Sequence, residues 1–401
     1  MTQAYLINGV RTAIGNFGGT LSTVRTDDLA AFVLAELIKK NKELDPALVG
    51  DVILGCANQA GEDNRNVARM ALLLAGLPVT VPGQTVNRLC ASGLSAAIDA
   101  ARAIQCGDED IMIAGGVENM TRGPLVMSKA ASAFGRDQQL FDSSFGWRFI
   151  NPKMKEKYGV DAMGETAENV AEKYKVSRAD QDRFALWSQQ KAAKAKTAGR
   201  FEKEIIALSI PQKKGEPVLF AHDEFAKPNT SLEGLTALRA SFKKEGTVTA
   251  GNSSGLNDGA AALLFAGEKA VKDHNLKPLA RVVSSAAVGV EPRIMGIGPV
   301  EAANKALKKA GLTIKDLDLI ELNEAFAAQS LACTRAWGLD DQDERLNING
   351  GAISLGHPLG MSGARILNSA AIDLQLHNKK YALVTMCIGV GQGYAAIIER
   401  C

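Results

Sequence analysis

One series of sequence patterns occurs twice in this chain, and the repeat limits the folds that are available to it. In the first copy, two apolar strand patterns precede a helix that begins near Cys90, and another buried strand follows. The second copy has the same order, with its helix beginning near His357. The repeated strand patterns are 5–10, 51–54 and 110–114 in the first copy, and 280–287, 317–322 and 381–386 in the second. Similar elements in the same order predict two structurally related halves.

Alternating strands and helices predict an α/β fold with a parallel or mixed sheet and helices on both faces. The strand at 110–114 is expected to stop at Gly115-Gly116, and Asn257-Asp258-Gly259 is expected to form a turn. An Ala- and Leu-rich pattern predicts a helix over 64–77.

The middle of the chain, from about residue 121 to about residue 249, has more charge, most of the aromatic residues and weaker strand patterns. It is interpreted as an inserted lobe that covers the edge of the sheet carrying Cys90. The predicted units are therefore a first half, the inserted loop domain and a second half, over 1–120 with 252–275, 121–251 and 276–401.

Cys90 is the first candidate for chemistry, because it stands at a turn where a helix of small residues begins. Free backbone N–H groups and the positive end of a helix dipole favour the thiolate, which is the reactive form of cysteine. A small buried cysteine that only packs against its neighbours is the alternative interpretation.

The repeat predicts that the helix starts at Cys90 and His357 face each other across a pseudo-twofold axis, although 267 positions (357 − 90) separate them. His357 is the only one of four histidines in a Gly-His-Pro turn, and it is the candidate base for the thiol. Cys387 precedes a glycine-rich turn and is a candidate second acid or base, while N–H groups of that turn are candidates for stabilising an oxyanion. Asn323 ends a strand pattern, where it either orients a water or histidine or caps the strand.

The composition excludes several classes of function. Lys and Arg number 46 and Asp and Glu 44, a near-balance that gives no support for a nucleic-acid or membrane-surface role. Six scattered cysteines without a C-x-x-C pair argue against a metal site and a disulfide framework, and favour a reducing cytoplasm. The sequence shows no pattern of a signal peptide or a transmembrane segment.

The chain resembles the thiolases over essentially its whole length, because several motifs occur together. These motifs are Asn87 to Gly93, Gly251 to Gly255, Asn323 to Phe326, Gly350 to Ala352, Gly356 to Pro358 and Cys387 to Gly393. The resemblance implies two five-stranded αβαβα halves and a loop domain that binds coenzyme A. It also implies that Cys90 is acylated, His357 activates it and Cys387 moves the proton at the substrate α-carbon. Asn323 would hold a water, and the N–H groups of Cys90 and Gly389 would form an oxyanion hole.

The same resemblance implies a set of residues around the acyl-CoA substrate. These are Ser254, Ala250, Lys227, Met163, Met295 and Phe326. Coenzyme A is then a co-substrate, no cofactor is permanently bound, and the expected assembly is a homodimer or homotetramer. Closer similarity to 3-oxoadipyl-CoA thiolases is carried by residues 55–66 and 146–152. Within these stretches Arg148, with Arg65 as the alternative, is the candidate partner of a distal substrate carboxylate. The other interpretation is that both arginines are structural salt-bridge partners.

Other functions remain open at this stage. Ala162-Met163-Gly164 departs from the His-Met-Gly of biosynthetic acetoacetyl-CoA thiolases, yet an acetoacetyl-CoA thiolase or a general 3-ketoacyl-CoA thiolase stays an alternative. A ketosynthase is expected to lack Cys387, and a non-catalytic acyl-CoA or lipid carrier is expected to lack Cys90 or His357. Nothing resembles a cysteine-protease signature.

Overall fold

The computed structural model of the protein describes residues 2–401, in which strands and helices alternate along the chain. The strands are β1 (Ala4–Arg11), β2 (Gly15–Asn16), β3 (Asp51–Gly55), β4 (Gly83–Val86), β5 (Ile111–Asn119), β6 (Leu125–Met127), β7 (Leu140–Asp142), β8 (Leu208–Ile210), β9 (Val218–Phe220), β10 (Asn257–Gly267), β11 (Ala280–Gly289), β12 (Leu319–Leu322), β13 (Tyr381–Ile388) and β14 (Gln392–Arg400). The α-helices are α1 (Thr26–Lys40), α2 (Val67–Leu74), α3 (Ser92–Cys106), α4 (Pro152–Tyr158), α5 (Met163–Lys173), α6 (Arg178–Thr197), α7 (Leu232–Thr236), α8 (Glu268–Asp273), α9 (Gly298–Ala310), α10 (Ala327–Ala336), α11 (Ala352–Leu355) and α12 (Leu359–Leu376).

One mixed sheet of ten strands runs through the molecule in the order β12-β13-β14-β11-β1-β10-β5-β3-β4, with β2 paired to β10. The first half contributes β4-β3-β5-β10-β1, and the second contributes β12-β13-β14-β11 in the equivalent order. In the place that β4 has in the first half, the second half has only a single parallel bridge between Ile320 and Leu346. The halves join edge to edge, where β1 pairs with β11 at Tyr5 and Leu6.

Helices lie in three layers around the two halves of the sheet. α3 and α12 pack against each other at the centre, and α12 is buried from Gly360 to Leu374 as expected of a helix enclosed on all sides. α1 and α2 cover the outer face of the first half, while α9 and α10 cover that of the second. The predicted α/β fold with two related halves is therefore confirmed.

Glycines allow the two central helices to approach closely. A Cβ atom added to Gly93 of α3 would collide with the carbonyl oxygen of Gly360, and one added to Gly363 would collide with the backbone of α3. Cys90 stands three residues before Gly93, and His357 stands three residues before Gly360; both glycines belong to this contact. The crossing therefore brings the two helix starts to equivalent positions.

The segment between β5 and β10 contains the hairpins β6–β7 and β8–β9 and helices α4 to α7. The buried guanidinium of Arg11 in β1 holds this segment through Glu204 and Asp223, each at 2.7 Å. Losing one partner of such a buried pair is costly, so these contacts fix the segment to the first half. None of the helices between residues 2 and 401 is both long enough and apolar enough to cross a membrane.

Three predicted boundaries are wrong. β5 continues through Gly115-Gly116 to Asn119, because these glycines let neighbouring backbone lie against the strand. The expected turn at Asn257 to Gly259 is the first part of β10, since Asn257 and Asp258 find internal partners in Gly15 and Thr121. α2 begins only at Val67, because the side chain of Asn66 caps it at the N–H of Arg69.

Candidate active site

Cys90 lies in a short 3₁₀ turn, Leu89–Ala91, that leads directly into α3, as predicted. Leu89 has a left-handed φ of 47°, and its N–H donates to the side chain of Asn87 at 2.9 Å. Such a conformation is unfavourable for a side chain as large as leucine and is typical of functional sites. The turn leaves Cys90 partly exposed at the end of the helix.

The thiol of Cys90 faces two backbone N–H groups, those of Gly389 and of Cys90 itself. Burial raises the pKa of Cys90 to about 11, and the two N–H groups offset only part of this rise. The N–H groups at the helix start lower the pKa of Cys90, as predicted, but the loss of hydration outweighs them. Cys90 is therefore a neutral thiol near neutral pH.

His357 lies in the turn before α12, with 5% of its surface exposed. Its backbone N–H donates to Asn257 Oδ1 at 2.9 Å, and its ring Nδ1 lies 2.7 Å from Ser362 Oγ. Ser362 donates its hydroxyl hydrogen to the carbonyl of Pro358, so we assign the ring hydrogen to Nδ1. Burial, and less strongly Arg365, lower the pKa of His357 to about 3. The ring is thus neutral, and the electron pair of Nε2 faces the side-chain amide of Asn323.

Asn323 follows β12, where its backbone N–H donates to the carbonyl of Thr385 in β13 at 3.0 Å. Its Nδ2 lies 3.3 Å from Nε2 of His357, which brings these two predicted residues together. The buried Oδ1 of Asn323 has no hydrogen-bond partner among the residues of 2–401. An unsatisfied buried oxygen of this kind is suited to bind a water molecule.

Cys387 lies near the end of β13, with 1% of its surface exposed. Burial, followed by the nearby thiols of Cys90 and Cys333, raises its pKa well above the ordinary value. Cys387 is therefore a neutral thiol next to Cys90. It packs in one apolar cluster with the predicted substrate residues Met295 and Phe326, so a chain bound here would lie in apolar surroundings.

Lys227 and Ala250 line one open cleft of about 310 Å³, together with Phe225, Leu235 and Gly251. The Lys227 ammonium lies 5.4 Å from the centre of the Phe225 ring. The N–H of Ser254 donates to the carbonyl of Ala325 at 3.0 Å, which places Ser254 beside the cluster that contains Cys387.

The remaining predicted residues occupy different positions. The sulfur of Met163 lies 3.7 Å from where a Cβ atom of Gly389 would stand, at the entrance to the site. Arg148 is half-buried, and its guanidinium donates to the carbonyl of Ser143 at 3.2 Å. Arg65 is exposed, with a left-handed φ of 63°.

Sequence reasoning missed Glu118, which lies at the centre of the site's framework with 1% of its surface exposed. Its carboxylate accepts N–H groups from Ala57 and Asn58 beside β3 and from Gly360 at the start of α12, at 2.8–3.0 Å. Burial raises the pKa of Glu118 to about 7. The available signal was a single acid in an otherwise apolar strand pattern.

Two further side chains were also missed, Asn257 and Ser362, which hold the backbone and ring of His357. The sequence predicts a turn at Asn257 and assigns no role to Ser362. Polar residues of this type in a buried helix or strand signal a hydrogen-bonding role.

Comparison with known proteins identifies the family of this chain. The thiolase N-terminal domain family matches residues 4–269, and the thiolase C-terminal domain family matches residues 276–400. A 3-oxoadipyl-CoA/3-oxo-5,6-dehydrosuberyl-CoA thiolase of Escherichia coli (strain K12) and a beta-ketoadipyl-CoA thiolase of Acinetobacter baylyi are each 58% identical over 400 residues, covering 100% of both chains. The crystal structure of human mitochondrial 3-ketoacyl-CoA thiolase in complex with CoA superposes with a TM-score of 0.92 at 40% identity, covering 100% of this chain and 98% of that chain. Matches of this extent, on a fold with the same paired halves, place the chain in the thiolase family of acyltransferases.

Proposed function

We propose that this protein cleaves 3-oxoadipyl-CoA with coenzyme A to give succinyl-CoA and acetyl-CoA, and catalyses the reverse condensation. The observation that carries the chemistry is the meeting of two thiols, Cys90 and Cys387, with the Gly389 N–H directed at the first. The substrate is supported by 58% identity over the full length to a relative named for 3-oxoadipyl-CoA.

In the first step, Cys90 passes its proton to Nε2 of His357 and attacks the C3 carbonyl of the substrate. The C2–C3 bond breaks, and the acetyl-CoA enolate takes a proton from Cys387. The succinyl group remains on Cys90 as a thioester. Neutral histidine is suited to the first proton transfer because it has no proton on Nε2 to lose beforehand.

In the second step, the thiol of coenzyme A returns a proton to Cys387 and attacks the succinyl thioester. Cys90 leaves and regains its proton from His357, so both thiols and the imidazole return to their starting states. N–H groups of Cys90 and Gly389 stabilise one oxyanion, and a water held by Asn323 and His357 stabilises the other.

We assign the cleft lined by Lys227 and Ala250 to coenzyme A, with Ser254 beside the pantetheine arm. Lys227 provides a cation to the cleft, and we assign the thioester end of the ligand to the apolar cluster of Met295, Phe326 and Cys387. A long ligand with an anionic outer end and a thioester at its inner end fits this arrangement. Coenzyme A acts here as a co-substrate.

A thiolysis assay with three substrates tests the proposal. Consumption of free coenzyme A is measured with 3-oxoadipyl-CoA, 3-oxohexanoyl-CoA and acetoacetyl-CoA. We expect the highest kcat/KM with 3-oxoadipyl-CoA. A higher value with acetoacetyl-CoA would instead favour an acetoacetyl-CoA or general 3-ketoacyl-CoA thiolase.

The proposal also includes the three units predicted from the sequence, a cytoplasmic location, and assembly as a homodimer or homotetramer. Strand β4 forms one end of the sheet and, within residues 2–401, pairs only with β3. The open edge of such a strand offers N–H and C=O groups to a second copy. Light scattering that gave the mass of a single chain at micromolar concentration would contradict the assembly.

A further inference from the structure

The loop that contains Trp147 and Arg148 is attached to the wall of the site on the Cys90 side. The carbonyl of Ser143 accepts hydrogen bonds from Arg148 at 3.2 Å and from the side chain of Asn58 at 3.1 Å. The carbonyl preceding Asn58 accepts from Asn87 at 3.1 Å, and Asn87 in turn holds the N–H of Leu89. A continuous set of hydrogen bonds therefore connects Arg148 to the residue before Cys90.

The same loop is attached to the opposite wall through Trp147. The Trp147 indole N–H donates to the carbonyl of Asp161 at 3.2 Å, and Arg293 fixes the Asp161 carboxylate at 2.8 Å. Two residues later, Met163 begins α5 and places its sulfur close to Gly389. The loop that carries Arg148 is thus attached both to the Leu89 wall and to the Met163 wall of the site.

The charge of Arg148 is not neutralised by the protein. Among residues 2–401 its guanidinium has a backbone carbonyl as partner and no carboxylate within ion-pair distance. Neighbouring arginines are committed, since Arg293 pairs with Asp161, Arg122 pairs with Glu62, and Arg88 lies over the ring of Tyr394. A half-buried guanidinium with free N–H groups is suited to bind a carboxylate through two parallel hydrogen bonds.

We propose that Arg148 binds the distal carboxylate of the acyl chain carried by Cys90 and so selects dicarboxylic over monocarboxylic 3-oxoacyl groups. This inference rests on the proposed function and assigns its specificity to one residue. Arg148 binds the end of the chain remote from the reacting carbonyl, so its contribution depends on the presence of that carboxylate.

Two substrates of equal chain length isolate this contribution, 3-oxoadipyl-CoA and 3-oxohexanoyl-CoA, which differ in the terminal carboxylate. We expect Arg148→Met to lower the ratio of their kcat/KM values by about 10- to 100-fold, the range of hydrogen bonds to a charged group. The loss should appear mainly in KM for 3-oxoadipyl-CoA. Arg148→Lys should restore part of the ratio, because it keeps the charge without the planar pair of donors.

Arg136→Met is the matched control, since Arg136 is an exposed arginine of the same lobe, between β6 and β7. The Arg136→Met variant should leave the ratio of kcat/KM values unchanged. A similar fall in this variant would show that any arginine of the lobe attracts the charged substrate, and would overturn the proposal.

Three further results would also overturn it: an unchanged ratio in Arg148→Met, an equal loss of activity on both substrates, or a fall of the ratio in Arg65→Met instead. A wild-type preference for 3-oxohexanoyl-CoA would overturn the proposed function itself, before any variant is measured. Should Arg148→Met fail to fold, Arg148→Gln gives the same comparison.

Discussion

The starts of α3 and α12 occupy equivalent places in the two halves, yet they present their side chains differently. Cys90 is partly exposed, and its thiol meets an N–H of the opposite half, that of Gly389. His357 is buried, and both ring nitrogens have neighbours, Ser362 on one side and Asn323 on the other. One start thus leaves its side chain partly exposed, while the other holds its side chain through both ring nitrogens.

This difference shows that local contacts, and not the shared backbone, divide the roles of the two halves. A helix start alone does not ionise Cys90, whose pKa is raised to about 11 by burial. His357 is also neutral, because burial lowers its pKa to about 3. Each half therefore contributes a neutral titratable group at its helix start.

The largest expected effect comes from removing the exposed member of the pair. Cys90→Ser should lower thiolysis by about 10⁴-fold or more, because the covalent intermediate depends on this sulfur. Intact mass after brief exposure to acetyl-CoA should show one acetyl group on the wild-type chain and none on the variant. Acetylation of Cys90→Ser at the wild-type level would place the nucleophile elsewhere.

The next prediction distinguishes the proposed role of His357 from that of Cys387. His357→Ala should slow acylation of Cys90 by about 10²–10⁴-fold, the usual range for a general base. Cys387→Ala should leave acylation by acetyl-CoA largely intact and block carbon–carbon bond cleavage and formation. Rapid-quench mass measurement of acylation, beside a condensation assay, distinguishes the two steps. Equal loss of acylation in both variants would contradict separate roles.

The positions of Cys90 and His357 were predictable because the repeat and the glycine-rich helix starts are local sequence patterns. The division into two related halves followed from the same repeat. The ionisation of Cys90 was not predictable, since it depends on how deeply the other half buries the thiol. Glu118 was missed for a related reason, because its three N–H partners come from segments distant in sequence.

Glu118 joins the two regions, so its titration should affect their attachment. Its pKa is raised from an ordinary 4.5 to about 7, which means that the folded state binds this proton more tightly than the unfolded chain. The contribution of Glu118 to stability is therefore greatest below about pH 4.5 and falls as the pH rises to about 7. The fall should amount to about 3 kcal/mol.

Glu118→Gln tests this contribution, because glutamine does not titrate. The variant should be less stable than wild type at pH 5, since glutamine has one acceptor oxygen for N–H groups that now share two. The difference in the free energy of unfolding between the variant and wild type should shrink as the pH rises to 8. Urea unfolding at each pH measures this difference. Asp316→Asn is the control, because the pKa of this exposed carboxyl is lowered and its titration is complete below that range. A difference between wild type and Glu118→Gln that stayed constant with pH would contradict the raised pKa.

The smallest expected effect concerns strained backbone next to Gly389. Val390 has a left-handed φ of 64° and is 40% exposed, so its side chain gains little from packing. Val390→Gly should relieve strain of about 1–3 kcal/mol, partly offset by the greater freedom of glycine in the unfolded chain. We expect a net stabilisation of about 1 kcal/mol in urea unfolding. We also expect slower acylation of Cys90, because the Gly389 N–H is held less firmly.

Val79→Gly is the control, because Val79 is 74% exposed and lies outside the left-handed region, and this change should instead lower stability. A loss of stability in both variants would mean that the turn beside Cys90 stores no strain, and that rigid packing alone directs the Gly389 N–H at the thiol.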